Sequence, residues 1–149
     1  MNLSRISALA CVLAALIHPA SAETVELQIQ NVKLKNIIVP EVELDATPLN
    51  QAIEFLRTKS VELDSSEPDP AKKGINIILL RGAQPKTDSE DGEPLITLRA
   101  RNMSLGAILR YVAQIAGCEI DVHPEAVVIG TPEELGQLRG MFKDAFANE

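Results

Sequence analysis

The residues that could do chemistry are few. Beyond the first 22 residues the 149-residue chain has one histidine, His123, and one cysteine, Cys118. Zinc needs several His or Cys ligands, and a pair at an odd separation in an extended run points to opposite faces, because side chains alternate along a strand. His123 precedes Pro124 in "DVHPEA". A residue before proline is driven to extended or turn geometry, so His123 reads as a hairpin residue rather than a general base. Cys118 in "IAGCEIDV" reads as a small buried apolar residue. Carboxylates are more plentiful on two polar loops, "DSSEPD" at Asp64 to Asp69 and "DSEDGE" at Asp88 to Glu93. Neither has the spaced acids and closing Glu of an EF-hand calcium loop, so both read as solvated surface. No Gly-rich phosphate loop or nucleophile elbow occurs. The expectation is no catalytic residue, no cofactor, no metal site, and a protein that is not an enzyme.

Composition narrows the partners. The formal net charge is −7, which opposes nucleic-acid binding because that affinity rests on Lys and Arg neutralising phosphates. The aromatic set, Phe55, Tyr111, Phe142 and Phe146, is too sparse for a base-stacking platform. The first residues read as an export signal over 1–22: Arg5, the apolar run "ISALACVLAALI", and the small-x-small site Ala20-Ser21-Ala22. Twelve apolar residues reach only about 18 Å, short of a hydrocarbon core of roughly 30 Å. Cleavage after Ala22 is therefore expected rather than membrane insertion. Cys11 lies too early for a lipoprotein anchor. The expected location is periplasmic or secreted, with association to the outer membrane as a further expectation. One cysteine left in an oxidising compartment allows no disulfide within the monomer.

The elements that must position anything functional are written twice. Leu49, Ala52, Ile53 and Leu56 fall at i, i+3, i+4 and i+7, one face of a helix. Thr47 is expected to cap it and Pro48 to occupy its first position. Leu105, Ile108, Leu109, Val112, Ile115 and Ala116 repeat the stripe, with Asn102 or Ser104 as the cap and Gly117 ending the helix in a left-handed turn. The equivalent positions stand 56 residues apart. Strand-like runs flank each helix, "VELD" and "GINIILL" around the first, "LITLRA" and "CEIDVHPEAVVIG" around the second. Two β-α-β units cannot make a solenoid, so they are expected to pack on each other as an α+β domain with two helices set against small sheets. "DSSEPDPAKKG" and "RGAQPKTDSEDGEP", between the copies, read as mobile surface loops.

At 131–149 a C-terminal amphipathic helix is expected. Thr131, Pro132 and Glu134 make a capping box, and Leu135, Leu138, Phe142 and Phe146 line one face. That face must be covered by the domain's own sheet, which is the favoured reading, or by a partner protein contacting these four residues. The polar face sets Glu133, Glu134 and Asp144 against Arg139 and Lys143, without the basic excess of a membrane-surface helix.

The succession of a strand, "TPLNQAIEFL", a strand, then "ITLRARNMSLGAILRYVAQIAGCEIDVHPEAVVI" resembles the secretin and TonB short N-terminal domain. In that family a leucine after Pro or Ser opens each helix, the second helix ends near a Gly, and a hairpin ending in an apolar strand closes the domain. The resemblance covers Val42 to Ile129, within a domain taken as 23–130. It departs in its longer inserted loops and in being a small free-standing copy, without a secretin core or receptor barrel. It implies a non-enzymatic periplasmic interaction module. In secretins the domain sits at the periplasmic mouth of an outer-membrane channel, and in TonB-dependent transducers it passes a signal to a periplasmic partner. The expected function is thus protein binding, accessory to an outer-membrane secretion or transport system, through an exposed strand edge or the last helix. The alternative is a structural or self-associating cell-envelope assembly protein.

Overall fold

The structure, a computed structural model, describes residues 20–80 and 92–146, with side chains at 27, 28, 30–80 and 92–141. The expected export signal lies almost wholly outside the described residues, as do Asp88 to Asp91 of the second acidic loop. The elements run α1 (Ala20–Asn36), β1 (Ile38–Pro48), α2 (Leu49–Leu63), β2 (Ile77–Leu79), β3 (Leu95–Ser104), α3 (Leu105–Ile115), β4 (Glu119–Val122), β5 (Val127–Gly130) and α4 (Pro132–Phe146). The expected α+β class holds. The two strands of each β-α-β unit, however, lie in different sheets.

β1 and β3 form an antiparallel ribbon, while β2, β5 and β4 form a second sheet in that order, with β2 parallel and β4 antiparallel to β5. α2 packs on β1 and β2, α3 packs on β3 and β4, and the two helices touch each other. The core is what the stripes predict: Leu49, Ala52, Ile53 and Leu56 of α2 meet Leu105, Ile108, Leu109 and Val112 of α3, all buried. Ile115 is 46 % exposed, so the second stripe closes on Val112 and Ala116 instead.

The ribbon is folded about its own centre. Glu43, paired with Arg99 across the strands, stands 56 residues before it. The same offset relates Ala46 and Asn102, which among the described residues are the non-glycines held at positive φ, +43° and +52°. Asn tolerates this left-handed region and Ala does not. Ala46 is fixed by a bulge in β1 between Leu44 and Thr47, where its N–H donates to Thr97 Oγ1 at 3.0 Å.

The two helix starts differ. Ser104 caps α3 as expected, accepting from the Ala107 N–H, and Gly117 follows the helix at φ +68°, a left-handed turn open to glycine. α2 corrects the expectation. Pro48 is the last residue of β1 and Thr47 makes no cap. The first N–H groups of α2 are taken from across the chain, Leu49 N–H by the Pro94 carbonyl at 3.0 Å and Asn50 N–H by Glu93 Oε1 at 2.8 Å. An acidic group there also complements the helix dipole.

The insert after α2 lies on the surface but is pinned, correcting the expectation of a mobile loop. Asp64 is 1 % exposed. Its Oδ2 accepts from Lys33 Nζ of α1 at 2.9 Å and from the Gly74 N–H at 3.0 Å, and its Oδ1 accepts from Ser66 Oγ at 2.9 Å. Lys33 Nζ also donates to the Lys72 carbonyl at 2.6 Å. α1, absent from the duplicated pattern, is thereby tied to both ends of the insert, and its Leu34 packs on Gly106 of α3, where a Cβ would stand 3.1 Å from the Leu34 carbonyl oxygen.

Candidate functional site

The residues singled out for chemistry do not converge. Cys118 and His123 flank β4 rather than lying in it. Cys118 is half-buried with Sγ near the Ala116 carbonyl, and burial, then the Glu134 carboxylate, push its thiol pKa up, away from a reactive thiolate. His123 Nε2 lies 3.7 Å from Asp121 Oδ2, and its N–H donates to the Ala126 carbonyl, closing the β4–β5 turn. In the first acidic loop the Lys33 ammonium already stands where a cation would. Among the described residues no group of three or more His, Cys, Asp and Glu is placed to hold a metal, and no helix is long and apolar enough to cross a membrane.

The capping box of α4 forms as written. Thr131 N–H and Oγ1 donate to Glu134 Oε2 at 2.7 and 3.0 Å, and Glu134 N–H donates back to Thr131 Oγ1 at 3.3 Å. Leu135 is fully buried and Leu138 half-buried. The Phe142 and Phe146 side chains fall outside the described residues. α4 lies on β5 and β4, which explains why all four β5 residues are buried: Val127 and Ile129 belong to the main core, whereas Val128 does not and is left for the α4 side of the sheet. Arg139 Nε adds a 2.7 Å pair to Asp121.

Two buried polar atoms without a hydrogen-bond partner among the described residues, Asn50 Oδ1 and Arg57 Nε, lie beside β2, and a third, Gln30 Oε1, lies on α1. β2 is an edge strand of its sheet. The Leu80 N–H and the Asn76 carbonyl bond to β5, so by strand alternation Ile78 faces β5 too, and the backbone groups of Ile77 and Leu79 face the open side. Beside that edge runs a groove of about 530 Å³ walled by Asn50, Ile53, Glu54 and Arg57 of α2. Their spacing at i, i+3, i+4 and i+7 puts them on one helix face. Arg57 reaches across, donating through Nη2 to the Ile77 carbonyl, while Nη1 pairs with Glu54. Two buried polar atoms on this wall have no partner, Arg57 Nε and Asn50 Oδ1. Buried polar atoms are satisfied in the great majority of cases, and these two share one groove wall.

Sequence reasoning missed this wall because Asn50, Glu54 and Arg57 lie beside the apolar stripe, sharing Ile53 with it, and make no chemical motif of their own. No signal in the sequence marks the edge: the apolar run "GINIILL" is longer than the three-residue strand Ile77–Leu79 that it forms, a brevity by which edges are blunted. Comparison of the chain with protein-family models, with curated proteins and with solved structures returned no match in any of the three.

Proposed function

We propose that the protein is an exported, non-enzymatic interaction module, of the kind found as the short N-terminal domain of secretins and TonB-dependent transducers, which binds another protein by accepting its strand along the open edge of β2. The observation that carries the reading is that edge, where the Ile77 N–H and the Leu79 backbone groups face outward beside the α2 wall and the Ile77 carbonyl already accepts from Arg57. Strand addition takes its affinity from main-chain hydrogen bonds and its specificity from side-chain pockets along the edge. The family resemblance is supported by Leu49 after Pro48 and Leu105 after Ser104 at the helix starts, by Gly117 at the end of α3, and by a closing hairpin that ends in Val127–Gly130. Service to an outer-membrane secretion or transport system is part of the same proposal.

The experiment is site-specific photo-crosslinking in the envelope of an exporting host. Probes would replace Ile78, on the groove, Arg99, on the ribbon, and Met141, an exposed residue of α4. A discrete hetero-adduct from position 78 alone is expected. An adduct of twice the chain's mass would favour the self-associating alternative, and adducts from 141 alone would move the contact to α4.

A further inference from the structure

We propose that the cavity between α1, α3 and β4 binds a small anionic amphiphile, a carboxylate that carries an apolar body the size of a medium-chain acyl group. The site lies on the side of β4, the edge opposite β2 in the second sheet, and stands independently of strand docking. It opens where α1 crosses α3. Leu34 meets Gly106 so closely that a Cβ there would stand 3.1 Å from the Leu34 carbonyl oxygen. Beside that contact a cavity of about 270 Å³ is left between the two helices and the sheet. Its lining is largely apolar: Leu34, Leu109 and Val127 are buried, and Ile120 and Val122 of β4 are half-buried. Strand alternation turns Ile120 and Val122 to this face and Asp121 to the other, where Asp121 pairs with Arg139 of α4.

The rim of this cavity is cationic. Lys35 of α1 and Arg110 of α3 line it, both exposed, and no carboxylate does. Apart from these two and Lys73, every Lys and Arg with a described side chain is ion-paired with an Asp or Glu. In the β2 groove Arg57 is neutralised by Glu54, and on the ribbon Arg99 and Arg101 are neutralised by Glu43 and Glu41. In a chain of net charge −7, two cations without counter-charges at the mouth of one apolar cavity favour an anionic head there. The Arg110 guanidinium presents a planar fork suited to a carboxylate, and the Ser104 hydroxyl, which accepts from the Ala107 N–H, keeps its own hydrogen to donate. A bare inorganic anion would leave the apolar lining against water, whereas an acyl body covers it. The volume sets the size: about 270 Å³ holds roughly nine water-sized groups at about 30 Å³ each, a small ligand rather than a peptide strand.

The test is an ¹⁵N NMR titration of the full chain, leader removed, with octanoate, octanamide and acetate, at concentrations below those at which octanoate forms micelles. Octanamide keeps the tail without the charge, and acetate keeps the charge without the tail. The expected result is saturable shifts at the Leu34, Gly106, Leu109 and Val122 amides with octanoate, and at least tenfold weaker binding of octanamide and of acetate. Added salt should weaken octanoate binding, because the cations stand at an exposed rim. Lys35→Gln and Arg110→Gln should each weaken octanoate at least fivefold at an unchanged melting temperature, whereas Lys73→Gln should leave its affinity unaltered. Octanamide bound as tightly as octanoate would overturn the anionic head, and acetate bound as tightly would overturn the apolar body. Octanoate that shifts only residues elsewhere, or that binds the Lys35→Gln and Arg110→Gln proteins as it binds the parent chain, would overturn the site itself.

Discussion

Lys33 and Asp64 form a buried ion pair that holds α1 to the insert after α2. Withdrawing two charges from water costs several kcal/mol each and is offset only when further hydrogen bonds satisfy them. Burial raises the Asp64 pKa, but the hydrogen bonds from Lys33, Gly74 and Ser66, with the charge of Lys33, outweigh it and hold the carboxyl below its ordinary value. A folded value below the unfolded one means that this stability is complete above the unfolded pKa, about 3.9, and is lost as pH falls through the folded value. Asp64→Asn should cost about 3–5 kcal/mol at neutral pH, leaving Lys33 buried without its counter-charge, and should flatten the acid limb of a melting-temperature profile taken from about pH 2.5 to 7. Ala46 offers a test of opposite sign. Its positive φ costs roughly 1–2 kcal/mol, so Ala46→Gly should be neutral to about 1 kcal/mol stabilising after glycine's own entropic cost, whereas Ala46→Val should destabilise. Urea melts of the pair check the bulge.

The elements differ in how plainly the chain announces them. α2 and α3 are legible because their buried positions keep the helical period, and α4 because Thr131 and Glu134 cap each other locally. α1 is not. Val25, Leu27 and Ile29 alternate like a strand, and the buried turn that docks the helix contains Lys33, whose partner Asp64 lies 31 residues away. The start of α2 fails for the same reason, since its cap comes from Glu93 and Pro94, which no local rule connects to Asn50. At α4 the fully buried Leu135 predicts that Leu135→Ala costs about 2–5 kcal/mol. Gly136 has nothing within 4 Å of an added Cβ, so Gly136→Ala should stabilise by about 0.5–1 kcal/mol. Deleting Thr131 to Glu149 should then unfold or aggregate the domain. A truncated chain that melts normally as a monomer would instead assign Leu135, Leu138, Phe142 and Phe146 to a partner.

In the whole molecule two copies of one phrase share a core and divide their strands between two sheets. The shared core predicts that Ile53→Ala and Leu109→Ala each cost about 2–5 kcal/mol. Because both residues belong to one buried cluster on packed helices, the double variant should depart from additivity, which thermal or urea melts would show. The division of strands is invisible in sequence: periodicity shows that "NIILL" is a strand but not that its neighbour is β5 on one side and, in place of a second strand, side chains of α2 on the other. That open side carries the proposed function, and Leu79→Pro tests it most directly. Proline removes the outward Leu79 N–H without touching a bond to β5, a substitution edge strands tolerate, and Leu79→Ala controls for the side chain. With the crosslinking probe at position 78, Leu79→Pro should keep a melting temperature within a few degrees of Leu79→Ala and lose the hetero-adduct that Leu79→Ala retains. A folded Leu79→Pro protein that gives the adduct in undiminished yield would contradict docking at this edge.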